Sequence, residues 1–134
     1  MLWSATTAAA LALTLAATAQ SSKPANDDPP ETVLATFYLK PDKVDDFFKM
    51  MPEYWQLLRK LDLVDAEPNL LLRGNDAGGK PIAVEIFTWK HTSTPDNAPA
   101  AVQQYWNQMN EMVEKRDGHQ GIEFPEVHIV PTTK

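Results

Sequence analysis

From residue 32 onward the chain moves between two hydrophobic rhythms. Thr32 to Leu39 is dense in β-branched and aromatic residues and stops at Lys40-Pro41-Asp42, where proline suits the first turn of a helix. A strand should therefore hand over to a helix there. Val44, Phe47, Phe48, Met51, Tyr54, Trp55, Leu58 and Leu61 then recur at three- and four-residue spacing, which is the stripe of a helix packed on one side. Pro52 interrupts that stripe; it lacks a backbone donor and crowds the preceding turn, predicting a kink or break near Met50-Met51 with helix resuming through Leu61. Asn69 to Arg73 reads as a second strand, Asn75 to Pro81 as a glycine-turned hairpin loop, and Ile82 to Trp89 as a third strand. Thr94-Pro95-Asp96-Asn97 supplies capping side chains for a second helix, striped by Ala98, Val102, Tyr105, Trp106, Met109, Met112 and Val113 and ended by Gly118 and Gly121. Ile122 to Val130 forms the last strand, with Pro125 where a ladder donor is dispensable.

The order β-α-β-β-α-β is that of an α+β, ferredoxin-like unit, with two helices on one face of a four-stranded antiparallel sheet. The helices cover one face only. A solvated second face would make the strands alternate apolar and polar, yet Val33-Leu34-Ala35-Thr36-Phe37-Tyr38-Leu39 and Ile82-Ala83-Val84-Glu85-Ile86-Phe87-Thr88-Trp89 are apolar on both sides. Another surface should shelter the bare face, and a twofold homodimer, sheet against sheet, is the economical one.

Upstream of this unit, Met1 to Ala19 carries no charged side chain and holds a short apolar run ending in Ala17-Thr18-Ala19, the pattern of an export signal cut before Gln20. No Lys or Arg precedes the run, so an uncleaved amphiphilic helix or membrane anchor is the alternative. The run is too short to span a bilayer, so no stable membrane span is expected after cleavage. The chain thus divides into a signal peptide, 1–19, a Ser/Asn/Asp/Pro-rich disordered tether, 20–31, and one α/β domain, 32–131, in a periplasmic or secreted protein.

Composition narrows the chemistry. The 134 residues contain no cysteine, removing disulfides, thiolate metal sites and thiol nucleophiles. A net charge of −6, with basic residues scattered except at Arg59-Lys60 and Lys115-Arg116, argues against nucleic acid. Gly74 to Lys80 has the spacing of a phosphate-binding loop, but Pro81 stands where Ser or Thr must follow and a strand comes next, so no nucleotide site is assigned. His91, His119 and His128 show no ligand spacing, so no metal is assigned either.

Phe87-Thr88-Trp89-Lys90-His91, the helix around Tyr105-Trp106-Asn107-Gln108-Met109, and the ending Gly121-Ile122-Glu123-Phe124-Pro125-Glu126-Val127 resemble the dimeric α/β-barrel superfamily, and within it the antibiotic biosynthesis monooxygenase-like domains and their uncharacterised relatives. The resemblance implies a homodimer and, among several activities, oxygenation of quinol-like aromatics without a cofactor. It does not extend to the haem-degrading branch, whose pattern places an Asn on the first strand and a haem-ligating His on the second helix. Here the strand carries Thr36 and the second helix, Ala98 to Arg116, has no histidine.

Glu85 is the most informative single residue. It sits between Val84 and Ile86 in a strand that otherwise reads as core, where a carboxyl must be paired, hydrogen-bonded or protonated. By the two-residue period it shares a side with Ala83, Phe87 and Trp89. If the first strand lies between the third and the fourth, His128 approaches that side across Thr36 or Tyr38. Glu85 and His128 are then candidate catalytic bases, and Tyr38, Trp89 and Trp106 candidate walls of a pocket for a flat, mostly apolar ligand. Either base would accept a phenolic proton and enrich the ring in electrons for reaction with dioxygen. The blander readings are a Glu85 salt bridge to Arg73 or Lys90 across the dimer, and aromatics that simply fill the core. A non-catalytic dimer binding a small hydrophobic ligand or a protein partner is the alternative function.

Overall fold

A computed structural model describes residues 27–133. The expected export signal therefore lies outside the described residues. The elements are β1 (Glu31–Tyr38), α1 (Val44–Lys60), β2 (Val64–Asn75), β3 (Pro81–Trp89), α2 (Ala100–Met112) and β4 (Ile122–Glu123), with short 3-10 turns at Pro41–Lys43 and Pro95–Asn97. The sheet is antiparallel throughout, in the order β2-β3-β1-β4. No helix among the described residues is long and apolar enough to cross a membrane.

β1 and β3 pair without interruption from Glu31 opposite Trp89 to Tyr38 opposite Ile82. That register fixes the two faces, because directly opposed residues point the same way. Ala35, Phe37, Ala83, Glu85, Phe87 and Trp89 face the helices and are buried. Leu34, Thr36, Tyr38, Ile82, Val84 and Ile86 face outward, together with Leu70 and Leu72 of β2, which remain 48% and 49% exposed. The β2–β3 ladder is broken between Val64 and Asn69, where Pro68 has no N–H to donate.

α1 buries Val44, Phe47, Met50, Met51, Tyr54 and Leu58. The helix runs unbroken through Pro52, so no break appears near Met50-Met51. Pro52 is exposed, while Met51 and Tyr54 on either side anchor the helix to the sheet. Packing thus holds the turn that loses a backbone bond. α2 presses Val102 and Met109 onto the same layer and ends at Met112, before Gly118, because Val113 is already extended.

The last strand is much shorter than its sequence suggests. Only Ile122 and Glu123 pair with β1, followed by an isolated bridge between Val33 and Glu126. Pro125 removes a donor just where the ladder would continue. Phe124, Ile129 and Val130 are left exposed.

Two polar clusters tie down the connections. Arg116, 4% exposed, donates to the carbonyls of Leu39 (2.7 Å) and Pro81 (3.0 Å) and pairs with Asp76 (3.1 Å) and Glu114 (2.9 Å). One guanidinium fork thereby joins the end of β1, the β2–β3 hairpin and the segment after α2. The stretch expected as a tether ends in structure. The carboxylate of Asp28 accepts from the Ser93 hydroxyl (2.6 Å), the Ser93 amide (2.9 Å) and the Thr92 hydroxyl (3.1 Å). Those bonds, the Ser93 hydroxyl first, hold its carboxyl below the usual range.

Candidate functional site

The two helices do not close over the sheet completely. Between them, above β1 and β3, lies a cavity of about 590 Å³ walled by Phe37, Tyr54, Phe87, Trp89, Trp106 and Met109. Glu85 of β3, Glu31 and Val33 of β1, and the stretch Gln120 to Ile122 with Phe124 also line it. The size is that of a small-molecule site, and the walls are mostly apolar.

The strand period explains why these rings meet. Glu85, Phe87 and Trp89 are alternate residues of β3, so all three project toward the helices. Phe87 and Trp89 stand edge to face, with ring centroids 4.9 Å apart, and Trp89 meets Trp106 of α2 in the same manner at 6.4 Å. Trp106 Nε1 donates a hydrogen bond of 2.9 Å to the hydroxyl of Tyr54, pinning α2 to α1 across the cavity.

Glu85 is the one acidic side chain inside this apolar layer, and only 5% of it is exposed. No hydrogen bond or ion pair to its carboxyl is found among the described residues. Burial alone raises its pKa from the ordinary 4.5 to about 8. The phenol of Tyr54 is likewise pushed up, first by burial and then by the nearby charge of Glu85, against the favourable bond from Trp106. The salt bridge considered for Glu85 was one across a dimer, but Glu85 faces the helices and not the outer face of the sheet. Lys90 pairs with Asp62, and Arg73 lies over the ring of Phe48.

Three of the five residues singled out from the sequence come together here: Glu85, Trp89 and Trp106. The other two do not. Tyr38 pairs with Ile82 and so points to the outer face, where its ring stacks on His119 at 4.7 Å. It is not a wall of the cavity. His128 lies past the end of β4 in an extended segment, with its side chain 81% exposed and its ring 3.3 Å from Glu126. The route proposed for it needed a strand continuing to Val130, and the pairing stops before that. Of the two bases expected from the sequence, the cavity keeps Glu85.

No protein-family model matches this chain, and no curated protein matches it. Among solved structures, a conserved protein from Methanosarcina mazei Go1 superposes with a TM-score of 0.53 at 15% identity, covering 73% of this chain and 92% of that one. Rv0793 from Mycobacterium tuberculosis gives 0.54 at 13% identity, over 78% of this chain and 99% of that one. The fold is ferredoxin-like. At such identities the likeness speaks for the fold and not for the chemistry.

Several residues of the site escaped the sequence reading. Phe37, Tyr54, Phe87 and Met109 read as core, because a cavity wall and a packed core have the same hydrophobic period. Gly121 read as a helix stop, but its structural reason is contact. A Cβ there would meet Val113 Cγ2 at 2.5 Å, and its carbonyl accepts from the Tyr38 amide at 2.9 Å. Only glycine lets the chain pass this close along the cavity rim.

Proposed function

We propose that this protein binds a flat, small aromatic compound between its helices and sheet, and that Glu85 exchanges a proton with a hydroxyl of that compound. The observation that carries the reading is a buried, unpaired carboxyl opening onto an aromatic-walled cavity. The reaction that fits best is cofactor-independent monooxygenation of a quinol-like ring, in line with a monooxygenase-like branch of the dimeric α/β barrels. Ionised Glu85 takes the phenolic proton, and the electron-rich ring then reacts with dioxygen. The quinol as a whole gives up two hydrogens and gains one oxygen atom at a ring carbon, becoming a hydroxyquinone; the other oxygen of dioxygen leaves with those two hydrogens as water, so the substrate itself is the reductant.

The raised pKa suits this task. A phenol ionises near pH 10, so an ordinary carboxylate is mismatched by roughly five to six units, whereas a base near 8 is mismatched by only about two. Trp89 and Trp106 hold the ring, and the dry walls strengthen the interaction at its hydroxyl.

In this proposal the protein is exported through its first 19 residues and works outside the cytoplasm, where chemistry without a soluble reductant is an advantage. It acts as a homodimer. The outward face of Leu34, Leu70, Leu72, Ile82, Val84 and Ile86 is an apolar layer that a second copy covers in a self-complementary way.

Oxygen uptake by the purified protein with a panel of quinols tests the reading. Uptake that rises with pH toward a plateau above about 8, and that falls by roughly a hundredfold or more in Glu85→Gln, is the expected result. Because His128, the second base expected beside Glu85, lies outside the cavity, ligand binding without turnover is the competing reading. Saturable quinol binding with no oxygen uptake in the wild type would select it.

A further inference from the structure

The charge of the cavity lining specifies its ligand further, and this step rests on the aromatic-ligand reading above. The lining contains two charged side chains, Glu85 and Glu31, and both are acidic. Among the described residues, no Lys, Arg or His lines it. Lys90, which follows Trp89, pairs with Asp62; His119, which precedes Gln120, pairs with Glu123; and the buried Arg116 pairs with Asp76 and Glu114.

The two carboxyls stand at opposite ends of the site. Glu85 lies opposite Ala35 and Glu31 opposite Trp89, and Ala35 and Glu31 are four residues apart on one face of β1. At about 3.3 Å per residue the separation along the strand is roughly 13 Å. Glu85 is at the buried end and Glu31 at the exposed end. Phe87 stands between them along β3, and Trp89, level with Glu31, meets Trp106 at that end.

A ligand whose hydroxyl reaches Glu85 therefore presents its far end to Glu31. A carboxylate, sulfonate or phosphate at that end meets like charge and finds no cation to compensate it. An ammonium there is attracted by Glu31 and by the electron-rich faces of the indoles. We propose that the cavity takes an amine-bearing phenol or quinol, bound with its hydroxyl toward Glu85 and its ammonium toward Glu31.

Calorimetric titration of the full chain near neutral pH and at low salt, with tyramine, para-ethylphenol and para-hydroxyphenylacetate, tests this, since the three share a phenol ring and differ in the charge of the far end. Tyramine should bind about three-fold tighter than para-ethylphenol, and para-hydroxyphenylacetate most weakly. Glu31→Gln, a change at an exposed position, should bring tyramine to the affinity of para-ethylphenol without altering the latter. Equal binding of all three, or a tyramine advantage that survives Glu31→Gln, overturns the inference while leaving the aromatic-ligand reading intact. If none of the three binds, that reading falls and the inference with it.

Discussion

At the scale of single residues, Glu85 governs both stability and chemistry. Its carboxyl ionises near pH 4.5 in the unfolded chain and near 8 in the folded protein, so between those values the folded state holds the extra proton. Stability should then fall as pH rises through this window and level off above it, by an amount of order a few kcal/mol. Glu85→Gln removes the titration, so denaturant midpoints at pH 5 and pH 9 should differ less in this variant than in the wild type, and the variant should be the more stable protein at pH 9. Equal pH slopes in the two proteins would show that the carboxyl is not dehydrated. Glu85 was legible in the sequence because a charged residue in an apolar strand breaks a pattern. His128 was misplaced for the complementary reason: its position depended on how far β4 runs, and no residue signal marks where edge pairing fails. Tyr38 differs from Phe37 by one step of the strand period, and only the register shows which of the two faces the helices.

Arg116 and Pro52 make opposite predictions at the scale of elements. Replacing Arg116 by Ala strips donors from the Leu39 and Pro81 carbonyls and leaves Asp76 without its buried partner. A loss of about 3 kcal/mol or more in equilibrium unfolding is expected. Arg116→Lys should recover little of it, because one ammonium cannot span the fork. Pro52→Ala should raise stability by about 1 kcal/mol or more, since α1 is already unbroken there and the alanine regains a backbone bond. A loss of stability would mean that the proline shapes α1 in a way the core requires. The helices and the β2–β3 hairpin were readable because each has a long hydrophobic period between clear turn residues. β2 proved longer than Asn69 to Arg73, extending back to Val64 past the ladder break at Pro68. A broken ladder leaves no clean alternation to read.

At the scale of the whole molecule, the two helices leave one face of the sheet uncovered. The apolar character of both strand faces was visible in the sequence, and the outer face is indeed bare in the isolated chain, with Leu70 and Leu72 about half exposed. Sedimentation should find a dimer at micromolar concentration, and Leu72→Lys should shift it toward the monomer without unfolding it, because the side chain is already half in solvent. A wild-type monomer at that concentration would exclude the twofold assembly. The cavity is independent of that outcome, since it lies on the opposite face. It was the part least visible in the sequence, where the rings that line it look the same as rings that fill a core. The measurement that bears most directly on the site is a carbon-13 NMR titration of the glutamate carboxyls, with Glu85 identified by the signal missing from Glu85→Gln. The midpoint should lie near pH 8 and move when a quinol is added; a midpoint near 4.5, unmoved by the quinol, would rule out a dehydrated Glu85 that meets the ligand.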